Sequence, residues 1–261
     1  MKNIEKKIKN YLIKLYPFNK LYFFIKILKK SKKKYYYADN GEDVIIQSLF
    51  NHKKDGFYID VGCYHPIRAS LTHLLHKKGW KGVNIDISED TINLFKIARP
   101  NDKNINVGIS NKEGEDFYYQ SSHINQANSF KAYENVKKVK IQISTLDKII
   151  KELGIKKIDF LNIDVEYRDF KALQGINLED VRPTLIAIED NDVYDITEVV
   201  DSDIYKYLTN KEYFLYSKTN CTNFYLDKKF KNNLNDILNT QTKNSLWLNV
   251  FKKNYKKDTY N

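Results

Sequence analysis

The stretch Gly56–Pro66, GFYIDVGCYHP, decides how this chain is read. Phe57 to Val61 has the composition of a buried strand, and Gly62 follows its last residue directly. A strand running into a glycine turn is how an open, mostly parallel α/β sheet begins its ligand crevice, because a residue without Cβ tolerates positive φ and close backbone approach. Asp60 then stands near the carboxyl end of that strand, where its carboxylate can accept hydrogen bonds from a charged amine or a turn amide. The plainer alternative is a strand-turn-helix in which the aspartate caps the following helix. A single D-x-G is weak evidence, so the flanking sequence has to decide.

Working outward, Asp39–Phe50 reads as a leading helix, and Ile67–Lys78 as a second, with Leu71, Leu74 and Leu75 on one stripe and Gly79 as its C-cap. Gly82–Ile87, GVNIDI, is the next buried strand and carries Asp86 at its end. In a doubly wound sheet an acid roughly 20 residues beyond the glycine turn accepts hydrogen bonds from a ribose diol, and a carboxylate has the two oxygens this needs. The other reading of Asp86 is a cap for the helix Glu89–Ala98, for which Ser88 is better suited. Asn104–Ile109 is a third strand, Phe117–Tyr119 and Val139–Ile143 are β segments around a polar excursion from Gln120 to Asn135, and Leu146–Leu153 is a helix capped by Thr145 or Ser144. Tyr213–Tyr216 and Asn223–Leu226 are spaced as an antiparallel pair, and a helix or two with a frayed tail follow Asp227.

Ile158–Val165 ends on Asp164 with Glu166 just beyond, and Thr184–Ile188 ends in Glu189, Asp190, Asn191 and Asp192. Two neighbouring parallel strands would bring Asp164, Glu189 and Asp190 to one edge of the crevice. Clustered carboxylates repel unless a cation neutralises them, and oxygen-only ligands suit Mg²⁺ or another hard divalent ion. Alternatively each acid caps a following helix or meets an arginine such as Arg168 or Arg182.

The 261-residue chain is long enough for one large α/β domain and an appendage. Its formal net charge of +11 belongs to the first 34 residues, which hold twelve lysines against the single acid Glu5. The remainder is neutral, with no excess charge to grip a phosphate backbone, so nucleic acid is not an expected partner. Residues 1–38 form a basic arm with Ile4, Ile8, Tyr11, Leu12 and Leu15 at helical spacing, expected to mediate self-association or contact with an anionic membrane surface, the plainer alternative being a solubilising tail. Its longest apolar run, Leu21–Leu28, is broken by Lys26 and far short of the roughly 20 residues a bilayer span needs. With two cysteines, Cys63 and Cys221, and no signal-peptide pattern, the expected location is cytoplasmic, at most on the inner face of the membrane. Residues 39–261 form the catalytic-size domain.

The ordered set GEDVIIQSLF, GFYIDVGCYHP, GWKGVNIDIS, NVGIS, NSF before STLDKII, and IDFLNIDVE resembles the FkbM-type S-adenosylmethionine-dependent O-methyltransferases over about Gly41 to Asp227. The resemblance implies a Rossmann-like class I methyltransferase fold: a mostly parallel seven-stranded sheet with a reversed final strand. It implies S-adenosylmethionine over the first glycine turn, with Asp60 and Gly62 shaping the methionine end and Asp86 holding the ribose. Asn106 and Gly108 would lie near the adenine, with Cys63 and Ile87 also in the cofactor site, and Asp164 and Glu166 would face the transfer site. Relatives commonly carry glycine after the IDVE segment, where this chain has Tyr167. Asp164, Glu189 and Asp190 also resemble the metal triad of magnesium-dependent sugar and catechol O-methyltransferases, in which a Lys or His base stands where Tyr167 stands here. Tyr167, Asp192 and His65 are the candidate general bases, with His65 equally readable as a turn histidine.

The expected activity is thus O-methylation of a sugar hydroxyl, on a nucleotide-activated sugar or a capsular or cell-surface glycan precursor, by an oligomeric enzyme. The competing readings are a nucleic-acid methyltransferase that uses the basic arm and a non-catalytic assembly protein on a relict fold. Amino-methylating enzymes carry Asn or Asp followed by two prolines and an aromatic where this chain has IDVE, which speaks against the first of these.

Overall fold

The computed structural model describes residues 20, 36–120, 136–191 and 193–230. The amphipathic arm, the excursion around Phe130 and Tyr133, and the C-terminal helices expected beyond Asp227 fall almost wholly outside the described residues.

Helix α1 (Glu42–Phe50) turns Ile46, Leu49 and Phe50 inward, and the Phe50 ring meets Trp80 edge-on at 5.1 Å. Strand β1 (Phe57–Val61) follows, then α2 (His73–Lys77), β2 (Lys81–Asp86), α3 (Glu89–Ala98) and β3 (Lys103–Asn106). Next come β4 (Gly108–Ile109), β5 (Gly114–Gln120), β6 (Lys137–Ser144) and α4 (Leu146–Glu152). The chain continues through β7 (Phe160–Ile163), α5 (Asp169–Gln174), β8 (Leu185–Glu189), α6 (Asp203–Asn210), β9 (Tyr213–Thr219) and β10 (Thr222–Asp227).

Seven strands form one sheet in the order β3-β2-β1-β7-β8-β10-β9, parallel from β3 to β8, with β10 antiparallel to both of its neighbours. The fold is therefore the mostly parallel Rossmann-like sheet with a reversed last strand. Chain order runs outward from β1 to β3 and then resumes at β7 on the other side of β1. A crevice opens where the connections diverge in this way, at the carboxyl ends of β1 and β7.

Period-two alternation explains why β1 is buried on both faces. Ile59 and Val61 join Val83, Ile85, Leu161 and Ile163 under α4, α5 and α6. Tyr58 points to the opposite face with Trp80, Phe160 and Phe224, against α1 and α2. Each fully buried aliphatic or aromatic side chain of this kind contributes about 1.5–3 kcal/mol, which makes the two apolar layers the main support of the crevice. On the second face the register also aligns Asn104, Asn84, Asp60 and Asn162 across four neighbouring strands. Polar side chains so deep in the sheet must bond to one another.

Two expectations need correction. The helix over Ile67–Lys78 shrinks to the five residues of α2, because Tyr64 and Ala69 adopt φ of 49° and 50° and the chain from Tyr64 to Leu71 is a shaped loop. The strand Asn104–Ile109 divides between two sheets. Its first half, β3, pairs with β2; after Val107, β4 pairs with β6 in a separate three-stranded sheet of order β4-β6-β5. The caps expected at Ser88 and Thr145 are present, accepting hydrogen bonds from Thr91 N at 3.3 Å and Lys148 N at 3.2 Å.

Candidate active site

A cavity of about 330 Å³ opens at the carboxyl ends of β1, β2, β7 and β8. Gly62 makes it possible. The residue sits at φ 76°, its N–H donates to Ile85 O at 2.9 Å, and a Cβ there would lie 1.6 Å from the carbonyl oxygen of Asp164. The absence of a side chain thus serves a backbone-to-backbone approach that draws the ends of β1 and β7 together, and the space beyond them becomes the cavity.

Seven Asp and Glu side chains line this cavity, and no Lys, Arg or His does so among the described residues. The acids come from every wall: Asp39 and Glu42 before and within α1, Asp60 and Asp86 from β1 and β2, and the others from the ends of β7 and β8. A space so lined has negative potential and favours cationic groups.

Asp60 is 2% exposed, and its carboxylate is engaged inside the protein. It accepts from Thr72 Oγ1 at 2.6 Å and from Asn162 Nδ2 at 2.9 Å. Burial pushes its carboxyl above the usual range, while these two bonds and the Arg99 guanidinium pull it back. Asp60 is therefore a residue of the cavity floor, as its place near the end of β1 implied, and its two oxygens join β1 to β7 and to the loop before α2. Neighbouring Cys63 is a buried thiol packed on Ile92 and Phe95, and burial raises its pKa well above the ordinary value.

Asp86 lines the cavity at the end of β2. One oxygen accepts from Ser88 N at 2.8 Å and the other from Tyr64 N at 3.1 Å, which leaves a further lone pair on each for a ligand. Burial raises its pKa to about 6 against the pull of those two amides. Ile87 is beside it on the wall. Asn106 does not reach the cavity: its amide donates to the backbone oxygens of Asp86 and Ile87 at 3.0 and 2.9 Å, clamping the end of β2. Gly108 is buried in β4. Val107 and Ile109 are the residues of this segment that line the cavity, one position away from those expected. The division of the strand at Val107 changes which side chains face inward.

At the other end Asp164, Glu166 and Glu189 place carboxylate oxygens within 4.8 Å of one another. Asp190, expected in this trio, belongs to the opposite face, where its charge acts on Tyr225 and Lys218; strand alternation separates it from Glu189. Burial and then Glu189 push the Asp164 carboxyl well above its ordinary range. The same causes raise Glu166 to about 7, and burial raises nearby Asp169 to about 8. Glu189 accepts from the Cys221 thiol at 3.0 Å and from Asn191 Nδ2 at 3.1 Å. Arg168 pairs with Asp116, and Arg182 with Asp227 at 2.9 Å.

Of the three candidate bases, His65 is a turn histidine. Its Nδ1 accepts from Ile67 N and Arg68 N at 3.1 and 3.0 Å, and burial together with Arg68 and Arg99 lowers its pKa. Tyr167 is half exposed, next in the chain to Glu166, and the two have φ of 69° and 51°. Left-handed backbone at 167 is what a glycine there would adopt without strain. Asp192 lies outside the described residues.

A comparison with protein families matches residues 60–215 to the methyltransferase FkbM domain. The chain belongs to the FkbM methyltransferase family. A search of curated proteins gives no match. As an FkbM methyltransferase the protein has S-adenosylmethionine as the methyl donor its family implies, and the acidic crevice at the β1 and β2 ends suits the donor's cationic sulfonium. Asp39 and Glu42, on the cavity wall, precede the matched region. Sequence reasoning missed both, and it missed Arg99, whose burial nothing in ARPNDK announces. Glu166 joins the carboxylate trio through left-handed backbone at φ 51° just past the end of β7, which strand periodicity does not announce.

Proposed function

We propose that this protein is an S-adenosylmethionine-dependent O-methyltransferase that modifies a hydroxyl of a sugar, within a capsular or cell-surface glycan precursor. The observation that carries the reading is a single cavity with two acidic ends: Asp86 at the β2 end and the Asp164, Glu166 and Glu189 cluster at the β7 and β8 ends.

Asp86 would accept the ribose hydroxyls, and Ile87, Val107 and Ile109 would give the adenine an apolar wall. The bound cofactor supplies an activated methyl group on sulfur, so the protein's task is to align an acceptor oxygen and remove its proton. Asp164, Glu166 and Glu189 present acceptor atoms to sugar hydroxyls, and the same hard oxygen donors fit a divalent cation such as Mg²⁺. Crowding supports that fit, since burial and then like charges raise Asp164 and Glu166, and a cation would relieve the repulsion. Such an ion, when bound, lowers the pKa of a hydroxyl it touches. Tyr167, next in the chain to Glu166, would stack on a sugar face beside the cluster.

The acid-only charge of the lining favours a neutral glycan inside the cavity over the diphosphate of a nucleotide-activated sugar, whose anionic part would have to lie outside. The basic arm, residues 1–38, is the proposed site of self-association or membrane-surface contact. No helix among the described residues is long and apolar enough to cross a membrane.

The test is transfer of labelled methyl from S-adenosylmethionine to a panel of neutral oligosaccharides, nucleotide-activated sugars and RNA, with and without chelator. Label on a glycan hydroxyl, lost in chelator, is the expected result. Label on RNA alone would overturn the reading.

A further inference from the structure

Beneath the cavity floor lies a guanidinium that none of the chemistry above uses. Arg99 follows the last residue of α3 and is 1% exposed. One terminal nitrogen donates to Thr72 Oγ1 at 2.8 Å and Tyr58 Oη at 3.1 Å; the other donates to Pro66 O and, at 3.1 Å, to Ser70 Oγ. Phe95 stacks against it at 4.9 Å. Asp102 accepts from Tyr58 Oη at 2.6 Å and Asn84 Nδ2 at 3.2 Å, so Asp60 and Asp102 are the acids that share the buried charge through Thr72, Tyr58 and Asn84.

What Arg99 grips is the loop between β1 and α2. This loop gives Tyr64, Ala69, Ser70 and Leu71 to the cavity wall, and its left-handed residues Tyr64 and Ala69 are not glycine. Such backbone persists only where surrounding structure holds it. The bonds within the loop are local: His65 Nδ1 with the amides of Ile67 and Arg68, and Ser70 with Thr72. Apart from neighbouring His73, the hydrogen bonds among the described residues that tie Pro66 and Ser70 to the rest of the domain come from Arg99. Thr72, gripped by the same side chain, passes the constraint to Asp60 at 2.6 Å.

We propose that Arg99 is a positioning residue for methyl-donor binding: it fixes the Tyr64–Leu71 loop in the shape that walls the cavity, without itself touching the ligand. This rests on the reading of the cavity as the donor site. A lysine offers one ammonium in place of the planar fork and cannot hold Pro66, Ser70 and Thr72 together.

The experiment uses the full chain, with Arg99→Lys and Thr72→Val compared with wild type. Thr72→Val removes one loop anchor without altering a cavity-lining residue, and it keeps the test alive should Arg99→Lys fail to fold. Amide hydrogen exchange of the ligand-free proteins is followed at residues 67–71, and S-adenosylmethionine binding is measured by calorimetry. The expected outcome is at least tenfold faster exchange in the loop with β7 and β8 protection kept. Donor affinity should weaken about tenfold, and the donor KM should rise by more than kcat falls. Unchanged loop exchange overturns the anchoring role, and faster exchange with unchanged affinity overturns the link to the donor. Absence of donor binding by wild type would sink the cavity reading and the donor link with it, while the exchange data still decide whether Arg99 anchors the loop.

Discussion

Three strand ends carry carboxylates into the same cavity and use them in two opposite ways. At β1, Asp60 accepts from Thr72 and Asn162, with Arg99 close enough to offset its charge. At β7 and β8, Asp164, Glu166 and Glu189 crowd one another, and Asp164 and Glu166 are pushed toward the protonated form. An acid bonded through both oxygens to protein side chains supports the fold, whereas like charges held together are costly unless a ligand or ion arrives. The contrast locates chemistry at the β7 and β8 end and architecture at β1, although the same residue types end all three strands.

The largest effect should come from the residue that joins the two regions. Gly62→Ala would force a methyl group into the Asp164 carbonyl at a positive φ, and we expect a loss above about 4 kcal/mol, read as failure to fold or a collapsed denaturation midpoint. Next comes Asp60→Ala, which leaves Thr72 and Asn162 without their acceptor and removes a counter-charge from Arg99. Its expected cost is about 3–5 kcal/mol in denaturant melts. Glu189→Gln should behave in the opposite manner, holding stability within about 1 kcal/mol while turnover falls roughly 10²-fold or more. Equal destabilisation by Asp60→Ala and Glu189→Gln would erase the distinction between the two regions.

The pH dependence follows from the same contrast. Asp86 and Glu166 have folded pKa values raised to about 6 and about 7, above those of the unfolded chain. The folded protein then holds protons that the unfolded chain has released, so the stability from these groups is present below about pH 4 and is lost as pH rises through 6 and 7. Thermal midpoints of the ligand-free protein should therefore fall over that window, and Glu166→Gln should flatten the upper part of the decline. The smallest expected effect is at Tyr167. Replacement by glycine at φ 69° should stabilise by about 0.5–1 kcal/mol, and retention of full activity by that variant would remove Tyr167 from the candidate bases.

How much of this was legible in the sequence varies with the physics behind each feature. The strand-glycine turn, the acid at the end of β2, the mostly parallel sheet and the reversed last strand follow from apolar runs, their spacing and a family resemblance. Asp164 and Glu189 were visible as acids ending buried strands. Alternation then excluded Asp190 from the trio, while Glu166 entered it through a left-handed turn after β7 that no periodicity encodes. Less accessible was anything that depends on one loop bending: the shortening of α2, the division at Val107 that puts Val107 and Ile109 on the wall instead of Asn106 and Gly108, and the burial of Arg99. These outcomes are set by tertiary hydrogen bonds between segments about 30 residues apart, which no local pattern encodes.

The most direct measurement of the central claim is calorimetric titration of wild type and Asp86→Ala with S-adenosylmethionine. Wild type should bind one equivalent, and the variant should bind at least about tenfold more weakly with its fold intact by circular dichroism. An absence of heat with wild type, or equal affinity in the two proteins, would contradict the assignment of this acidic crevice as the methyl-donor site.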